Sequence, residues 1–325
     1  MSMKYLVTGG AGFIGSHLVE NLVAAGHQVV VLDDFSSGTI DNLAAVRNGV
    51  RIIEGTITDP ETCRRAARGV DYVLHQAALT SVTRSVEAPI AAHEVNVTGT
   101  VNVLLAARDA GVRRVVFAGS TAVYGDAAEL PNREDMVPRP LSPYAVTKLA
   151  AEAYCAAFTA TYGLETVVLR YFNVFGPRQD PASAYAAAIP KFIVSALRKT
   201  PPIIYGDGEQ TRDFVFVTNV VHANLKALEA PAPAASGKVF NVGCGRQITV
   251  NELWRQIESI VGVRLGAKHA PARAGEIKHS LASIERAREA LGYAPLVAFE
   301  EAMRRTVQFY KTAASNLAEA RRAAG

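Results

Sequence analysis

Tyr144 and Lys148 stand four residues apart in Ser142-Pro143-Tyr144-Ala145-Val146-Thr147-Lys148. On a helix this spacing puts a phenol and an ammonium on one face. A neighbouring positive charge favours phenolate and can draw a tyrosine down from its ordinary value of about 10. Base catalysis gains most when the pKa lies near the operating pH. Ordinary helices carry the same spacing, so the pair acquires meaning only from residues placed around it.

Thr8-Gly9-Gly10-Ala11-Gly12-Phe13-Ile14-Gly15 provides the first such support. It satisfies G-x-G-x-x-G through Gly10, Gly12 and Gly15, and G-x-x-G-x-x-G through Gly9, Gly12 and Gly15. Glycines there allow a tight turn and close approach of backbone to a pyrophosphate at the positive end of a helix. Asp33 closes the following apolar run, Val29-Val30-Val31-Leu32. A carboxylate there accepts hydrogen bonds from ribose hydroxyls and repels a 2′-phosphate, which predicts NAD rather than NADP. His75-Gln76-Ala77-Ala78 ends another strand with small residues suited to packing against a cofactor. His75 itself reads as a satisfied core histidine, because no partner acid or metal-like spacing surrounds it.

These residues must be held by a sheet. Tyr5 to Val7, Gln28 to Leu32, Arg51 to Glu54, Tyr72 to His75, Arg114 to Ala118 and Thr166 to Arg170 read as buried strands. Helical patterns run from about Gly12 to Ala25, Asn96 to Ala110 and Ala145 to Tyr162. Apolar strands alternating with helices imply a parallel sheet covered on both faces, and right-handed crossovers give a doubly wound Rossmann α/β fold. Beyond about residue 175, prolines punctuate shorter elements. The division expected is a Rossmann domain over 1–175, with later strands returning to its sheet. A smaller mixed α/β substrate-binding region follows over 176–312, then an Ala-rich tail over 313–325.

The 325 residues are 49% apolar and 20% charged, an ordinary globular balance, and the net charge of +4 is too small and too dispersed for a nucleic-acid surface. Cys63, Cys155 and Cys244 are widely separated, so no disulfide framework or metal site is expected. No stretch has the form of a signal peptide or the length and apolarity of a membrane span. A protein of the reducing cytoplasm, without membrane or nucleic-acid partner, is the expectation.

The glycine string, Asn96, Ser120-Thr121-Ala122-Val123-Tyr124-Gly125, Tyr144…Lys148 and Arg170-Tyr171-Phe172-Asn173-Val174-Phe175-Gly176 occur in this order. Together they make the chain resemble extended short-chain dehydrogenases/reductases, specifically the nucleotide-sugar 4-epimerases, from about Tyr5 to Phe309. The resemblance implies a Ser120–Tyr144–Lys148 mechanism. Tyr144 takes the proton of the sugar 4-hydroxyl while hydride leaves C4. Lys148 lowers the Tyr144 pKa and binds the nicotinamide ribose, and Ser120 holds the 4-oxygen. The 4-keto sugar then rotates and receives hydride on its other face. Related sugar dehydratases carry Asp-Glu after the Ser/Thr, and decarboxylases carry Glu. Thr121-Ala122-Val123 offers neither, which leaves epimerisation.

The resemblance also carries cofactor contacts onto Gly9, Gly12, Phe13, Ile14 and Gly15, then onto Asp33, Asp34, Phe35, Ser37 and Gly38. Thr56, Ile57, Gln76, Ala77, Ala78, Asn96, Tyr144, Lys148 and Tyr171 complete that set, with Asn96 as the family's structural asparagine. Two positions depart from the family's usual pattern. Thr56 stands where an Asp commonly meets adenine, and Asp34 replaces a common Asn.

For the substrate, the resemblance implies contacts from Ser81, Ser120, Tyr144, Asn173 and Ala188. Tyr205 lies beside uracil, Arg212 and Arg273 grip the diphosphate, and Glu276 holds the ribose. Bidentate arginine suits diphosphate oxygens. Ser280, four residues after Glu276, replaces the bulky Tyr of glucose/galactose-specific members and leaves room for an N-acetyl group at C2. UDP-N-acetylglucosamine is therefore the expected sugar, with UDP-glucose and UDP-glucuronate left open, and a non-catalytic NAD-binding regulator as a distant alternative. A homodimer is expected from the family's helix-bundle pairing.

Overall fold

The computed structural model describes residues 2–181, 188–272 and 277–323, with side chains to residue 316. The strands in chain order are β1 (Lys4–Thr8), β2 (Gln28–Asp33), β3 (Val50–Glu54), β4 (Tyr72–His75), β5 (Arg114–Ser120), β6 (Glu165–Tyr171) and β7 (Asn173–Phe175). They continue with β8 (Ile203–Tyr205), β9 (Thr211–Arg212), β10 (Phe214–Phe216), β11 (Lys238–Val242), β12 (Ile248–Thr249) and β13 (Lys268–Ala270). Seven of them form one parallel sheet in the order β11-β6-β5-β4-β1-β2-β3. The order reverses between β1 and β4, which opens a crevice at the carboxyl ends of those strands.

Alternation along the strands explains the two covered faces. Tyr5, Val7, Val29 and Val31 face one core, whereas Leu6, Val30 and Leu32 face the other. The second face is covered by α2 (Pro60–Ala67), α5 (Gly99–Asp109) and α6 (Pro143–Tyr162), while α3 (Val82–Glu87) and α4 (Pro89–His93) lead into α5. The first face is covered by α1 (Phe13–Ala24), with α8 (Val217–Glu229) and α11 (Glu285–Leu291) coming from far along the chain. Between them lie α7 (Ala188–Leu197), α9 (Ala232–Ala235) and α10 (Val250–Val261), and α12 (Phe299–Ala323) follows. Helices α7, α10 and α12 close a third core with β10, centred on Phe175, Phe192, Trp254 and Met303.

Two features differ from the sequence expectation. The helix expected over Asn96 to Ala110 begins with a π-helical turn, Glu94–Thr98, before α5. Such turns occur mostly as local bulges where a side chain has a particular task, and this one contains Asn96. The catalytic-strand expectation of Arg114 to Ala118 extends two residues further, so Ser120 is the last residue of β5 and stands at the sheet's carboxyl edge.

Candidate active site

The turn after β1 is built almost entirely of backbone. Gly9 has φ +66°, and a Cβ there would lie 2.7 Å from the Ala77 amide nitrogen at the end of β4. A Cβ on Gly15 would collide with the Gly9 carbonyl oxygen. Gly12 precedes the first turn of α1, which has no side-chain cap, so its amides face the crevice with the helix dipole behind them. Asp33 closes β2 and ties this turn down, accepting from the Ala11 N–H at 2.8 Å and the Phe35 N–H at 2.9 Å. Its carboxyl is raised above its ordinary value by burial, an effect opposed by those two hydrogen bonds. Asp34 instead accepts from Ser36. Gly38 lies against Ala11, where a Cβ would come within 2.7 Å of the Ala11 carbonyl carbon. Phe35, Ile52, Gly38, Thr39, Arg47 and Glu54 line a side cavity there.

Thr56 shares a hydrogen bond with Thr58 (Oγ1–Oγ1 3.0 Å) and accepts its N–H. Ile57 is buried against α5, where Gly99 leaves room for its side chain. His75 is fully enclosed between Thr8 Oγ1 (2.6 Å) and Thr100 Oγ1 (3.0 Å), and burial holds its pKa down at about 3, so it is a neutral core histidine.

Ser142 caps α6 by accepting from the Ala145 N–H at 3.2 Å, and Pro143 occupies the first helical turn. Tyr144 is thereby set at the helix start, and its own N–H donates to Ser85 Oγ at 3.0 Å. Ser120 hydrogen-bonds the Tyr144 side chain and also accepts from the Ala122 N–H at 3.2 Å. Lys148 is buried one turn along, donating to the Ala118 carbonyl at 2.9 Å, with Nζ 6.0 Å from the Tyr144 ring centroid.

The electrostatics correct one expectation. Burial pushes the Tyr144 phenol above its ordinary value, and Ser120 rather than Lys148 is the group pulling it back. Lys148 itself is pulled down to about 8 by burial. In the chain alone, burial is the leading influence on both groups.

Asn96 is braced by the protein. It accepts from the Leu79 N–H at 2.7 Å and donates to the Leu79 carbonyl and to Thr147 Oγ1, both at 3.0 Å. It therefore ties the segment after β4 to α6. Ser81 caps α3 through the Arg84 N–H, while its neighbours Thr80 and Val82 line the cleft. Tyr171 donates to Gln76 Oε1 at 3.2 Å and accepts from Asn224 Nδ2 at 2.8 Å. Asn224 and Ser85 lie outside any recognised motif and carry no local signal, and Thr147 lies inside the Tyr144–Lys148 run without a role that the run itself assigns. Only their distant partners give them a role.

Ser120, Tyr144, Tyr171, Asn173, Ala188, Tyr205, Arg212 and Ser280 all line one cleft of about 1130 Å3. Its size exceeds the common range for small-ligand sites and suits an extended molecule. Ser280 is buried there, and its hydroxyl meets no hydrogen-bond partner among the described residues, while its N–H donates to Thr211 O at 3.2 Å. Arg212 donates to the carbonyls of Thr211 and Lys278. Arg273 and Glu276 lie outside the described residues, as do residues 182–187.

The glycine turn lies at the β1–β4 reversal, and Ser120, Tyr144 and Lys148 cluster at the end of β5 and the start of α6. The chain belongs to the NAD dependent epimerase/dehydratase family, whose model matches residues 5–243. A UDP-glucose 4-epimerase of Mycolicibacterium smegmatis is 42% identical over 313 residues, 95% of this chain and 99% of that protein. The UDP-glucose 4-epimerase of Thermotoga maritima, solved with UDP-glucose, is 38% identical with a TM-score of 0.91, covering 96% of this chain and 99% of its own. The UDP-N-acetylglucosamine 4-epimerase of Methanobrevibacter ruminantium, in complex with UDP-N-acetylmuramic acid, is also 38% identical, with a TM-score of 0.90 and coverages of 96% and 99%. NAD is the cofactor, and the uncapped helix, the glycines that admit no Cβ and Asp33 fit it. No helix among the described residues is long and apolar enough to cross a membrane.

Proposed function

We propose that the protein inverts C4 of a UDP-sugar, chiefly interconverting UDP-N-acetylglucosamine and UDP-N-acetylgalactosamine. The observation that carries this is the convergence of Ser120, Tyr144 and Ser280 on one cleft that also holds Asn173, Tyr205 and Arg212. NAD, held by the glycine turn and Asp33, would supply a reversible hydride acceptor for C4. Tyr144 removes the 4-hydroxyl proton in the first half and gives it back in the second, so protons and electrons balance over a cycle. Ser120 holds the 4-oxygen in both states, and Lys148 keeps a positive charge beneath the site. Thr121, Ala122 and Val123 follow Ser120 with no carboxylate, which disfavours dehydration and decarboxylation.

Asn173 and Arg212 serve the diphosphate, and Arg273 and Glu276 are assigned to the diphosphate and ribose from sequence. Ser81, with its hydroxyl committed to α3, acts by holding Thr80 and Val82 at the cleft. The N-acetyl preference rests on Ser280, whose small buried side chain leaves space where a larger one would fill it. UDP-glucose remains the second reading, because relatives of 42% and 38% identity carry that name.

Each UDP-sugar incubated with the holoenzyme and resolved by anion exchange tests the choice. Ser280→Tyr is expected to cut turnover of UDP-N-acetylglucosamine about a hundredfold while sparing UDP-glucose. Equal losses on both sugars would refute the Ser280 reading. A dimer, formed through the face that α5 and α6 share, and a cytoplasmic location complete the proposal; sedimentation and fractionation check them.

A further inference from the structure

The cleft wall that runs from Ser120 to Ser280 is backed by a buried polar chain that the proposed chemistry does not use. It begins on α6, one turn beyond Lys148, where Glu152 accepts two hydrogen bonds from Arg170 of β6, at 3.0 and 2.5 Å. The Arg170 guanidinium lies over the Tyr124 ring, 4.7 Å from its centroid. Tyr124 O–H donates to Asn241 Oδ1 of β11 at 2.7 Å. Asn241 Nδ2 donates onward to the carbonyls of Asn132 (2.9 Å) and Ser283 (3.2 Å), and its N–H donates to Glu134 Oε1 (2.8 Å). Asn132 in turn donates its N–H to Leu281 O at 2.7 Å and accepts from the Ser283 N–H at 2.9 Å. The side chains of Glu152, Arg170, Tyr124, Asn241 and Asn132 are all buried.

Stability alone is a poor reason for such a chain. A buried ion pair gains little over apolar residues of the same volume, because desolvation offsets its attraction. Arg170 Nη1 has no hydrogen-bond partner among the described residues, but the other links favour a single arrangement, since a slip leaves further buried donors or acceptors unmet. Here the arrangement matters because it joins stretches that carry cleft residues from different parts of the chain. Arg170 precedes Tyr171, Tyr124 closes the turn that starts after Ser120, and residues 281–283 directly follow Ser280. Asn132 itself lines the cleft.

We infer that Tyr124 is a positioning residue, whose hydroxyl sets the distance between the catalytic turn and the Ser280 wall. This rests on the reading of Ser280 as the wall of the sugar pocket. The ring of Tyr124 serves Arg170, whereas the hydroxyl serves Asn241, and the two tasks separate cleanly by substitution.

Tyr124→Phe in the full-length holoenzyme keeps the ring under Arg170 and leaves Asn241 Oδ1 without its donor. The expected result is a KM for the UDP-sugar raised about tenfold, from one unmet buried acceptor. NAD content and the affinity for UDP alone should stay unchanged. Amide hydrogen exchange should quicken at residues 280–283 and not in β1. A fall in melting temperature with KM and exchange at 280–283 unchanged would overturn the inference, because it marks a purely structural residue. If that variant does not fold, Glu134→Ala removes the acceptor of the Asn241 N–H at the other end of the chain. It should shift KM in the same direction by a smaller factor, and an unchanged KM there would count against the inference. If UDP-N-acetylglucosamine proves not to be a substrate, the sugar assignment fails, yet the KM for UDP-glucose still tests the brace.

Discussion

At the β1–β4 crevice the chain presents backbone, and at the far end of the cleft it presents side chains. Gly9, Gly12 and Gly15 act by lacking a Cβ, and residues 8–15 contain the whole turn. The far end of the cleft instead gathers Asn173, Tyr205, Arg212 and Ser280 from β7, β8, β9 and the segment after residue 277. A backbone cradle suits what every dinucleotide shares, the pyrophosphate, and tolerates little change. Side chains on separate elements can be exchanged one at a time. On the proposed function, cofactor binding and catalysis depend on the seven-stranded sheet and α6, and sugar selectivity on the smaller elements packed beside them.

Substitutions at the two ends should therefore fail in different ways. Tyr144→Phe should lower kcat about a thousandfold, the scale of a lost acid–base group, with NAD content unchanged in the purified protein. A parallel loss of NAD would show that the catalytic and cradle functions are not separable. Gly15→Ala, which forces a Cβ onto the Gly9 carbonyl, should abolish NAD retention and lower the melting temperature sharply. Gly262→Ala is the control, because its Cβ would meet nothing within 4 Å and only its φ of +82° is strained. It should cost about 1 kcal/mol in urea unfolding and leave NAD binding intact.

Lys148 sharpens the comparison through pH. Its pKa in the folded chain is about 8, against an ordinary 10.5, because burial disfavours the ammonium. Between those values the unfolded chain binds the extra proton, so stability rises with pH across that window, and the penalty is fully present below pH 8. Cofactor-free protein should thus gain on the order of 2 kcal/mol from this residue between pH 7.5 and 9.5. Lys148→Met should remove that gain while raising stability at pH 7.5 and abolishing turnover. Identical pH slopes in urea unfolding of the two proteins would show that Lys148 is not desolvated in the folded state.

The sheet and the cofactor end were legible because their determinants are local. Six strands appear as apolar runs, each a strand of the sheet to within a residue or two at its ends, although the edge strand β3 buries only Ile53. The seventh, β11, was anticipated only as a later return, since Lys238–Val242 becomes a core strand by lying beside β6. Asn96 illustrates the limit at one residue. Its presence in a helical pattern was readable, but the π-helical turn and the bonds to Leu79 and Thr147 needed the partner elements.

From the sequence alone come the glycine turn, Asp33, the Ser120–Tyr144–Lys148 set and the lack of acids after Ser120. Each depends on residue type and short spacing, which a strand or helix converts directly into geometry. Tertiary structure alone decided the rest: that Ser85 holds the Tyr144 amide, that burial raises the Tyr144 phenol with Ser120 as the opposing group, and that Ser280 sits buried in the same cleft. Those outcomes depend on which distant groups exclude water from one another, and sequence separation carries no record of desolvation.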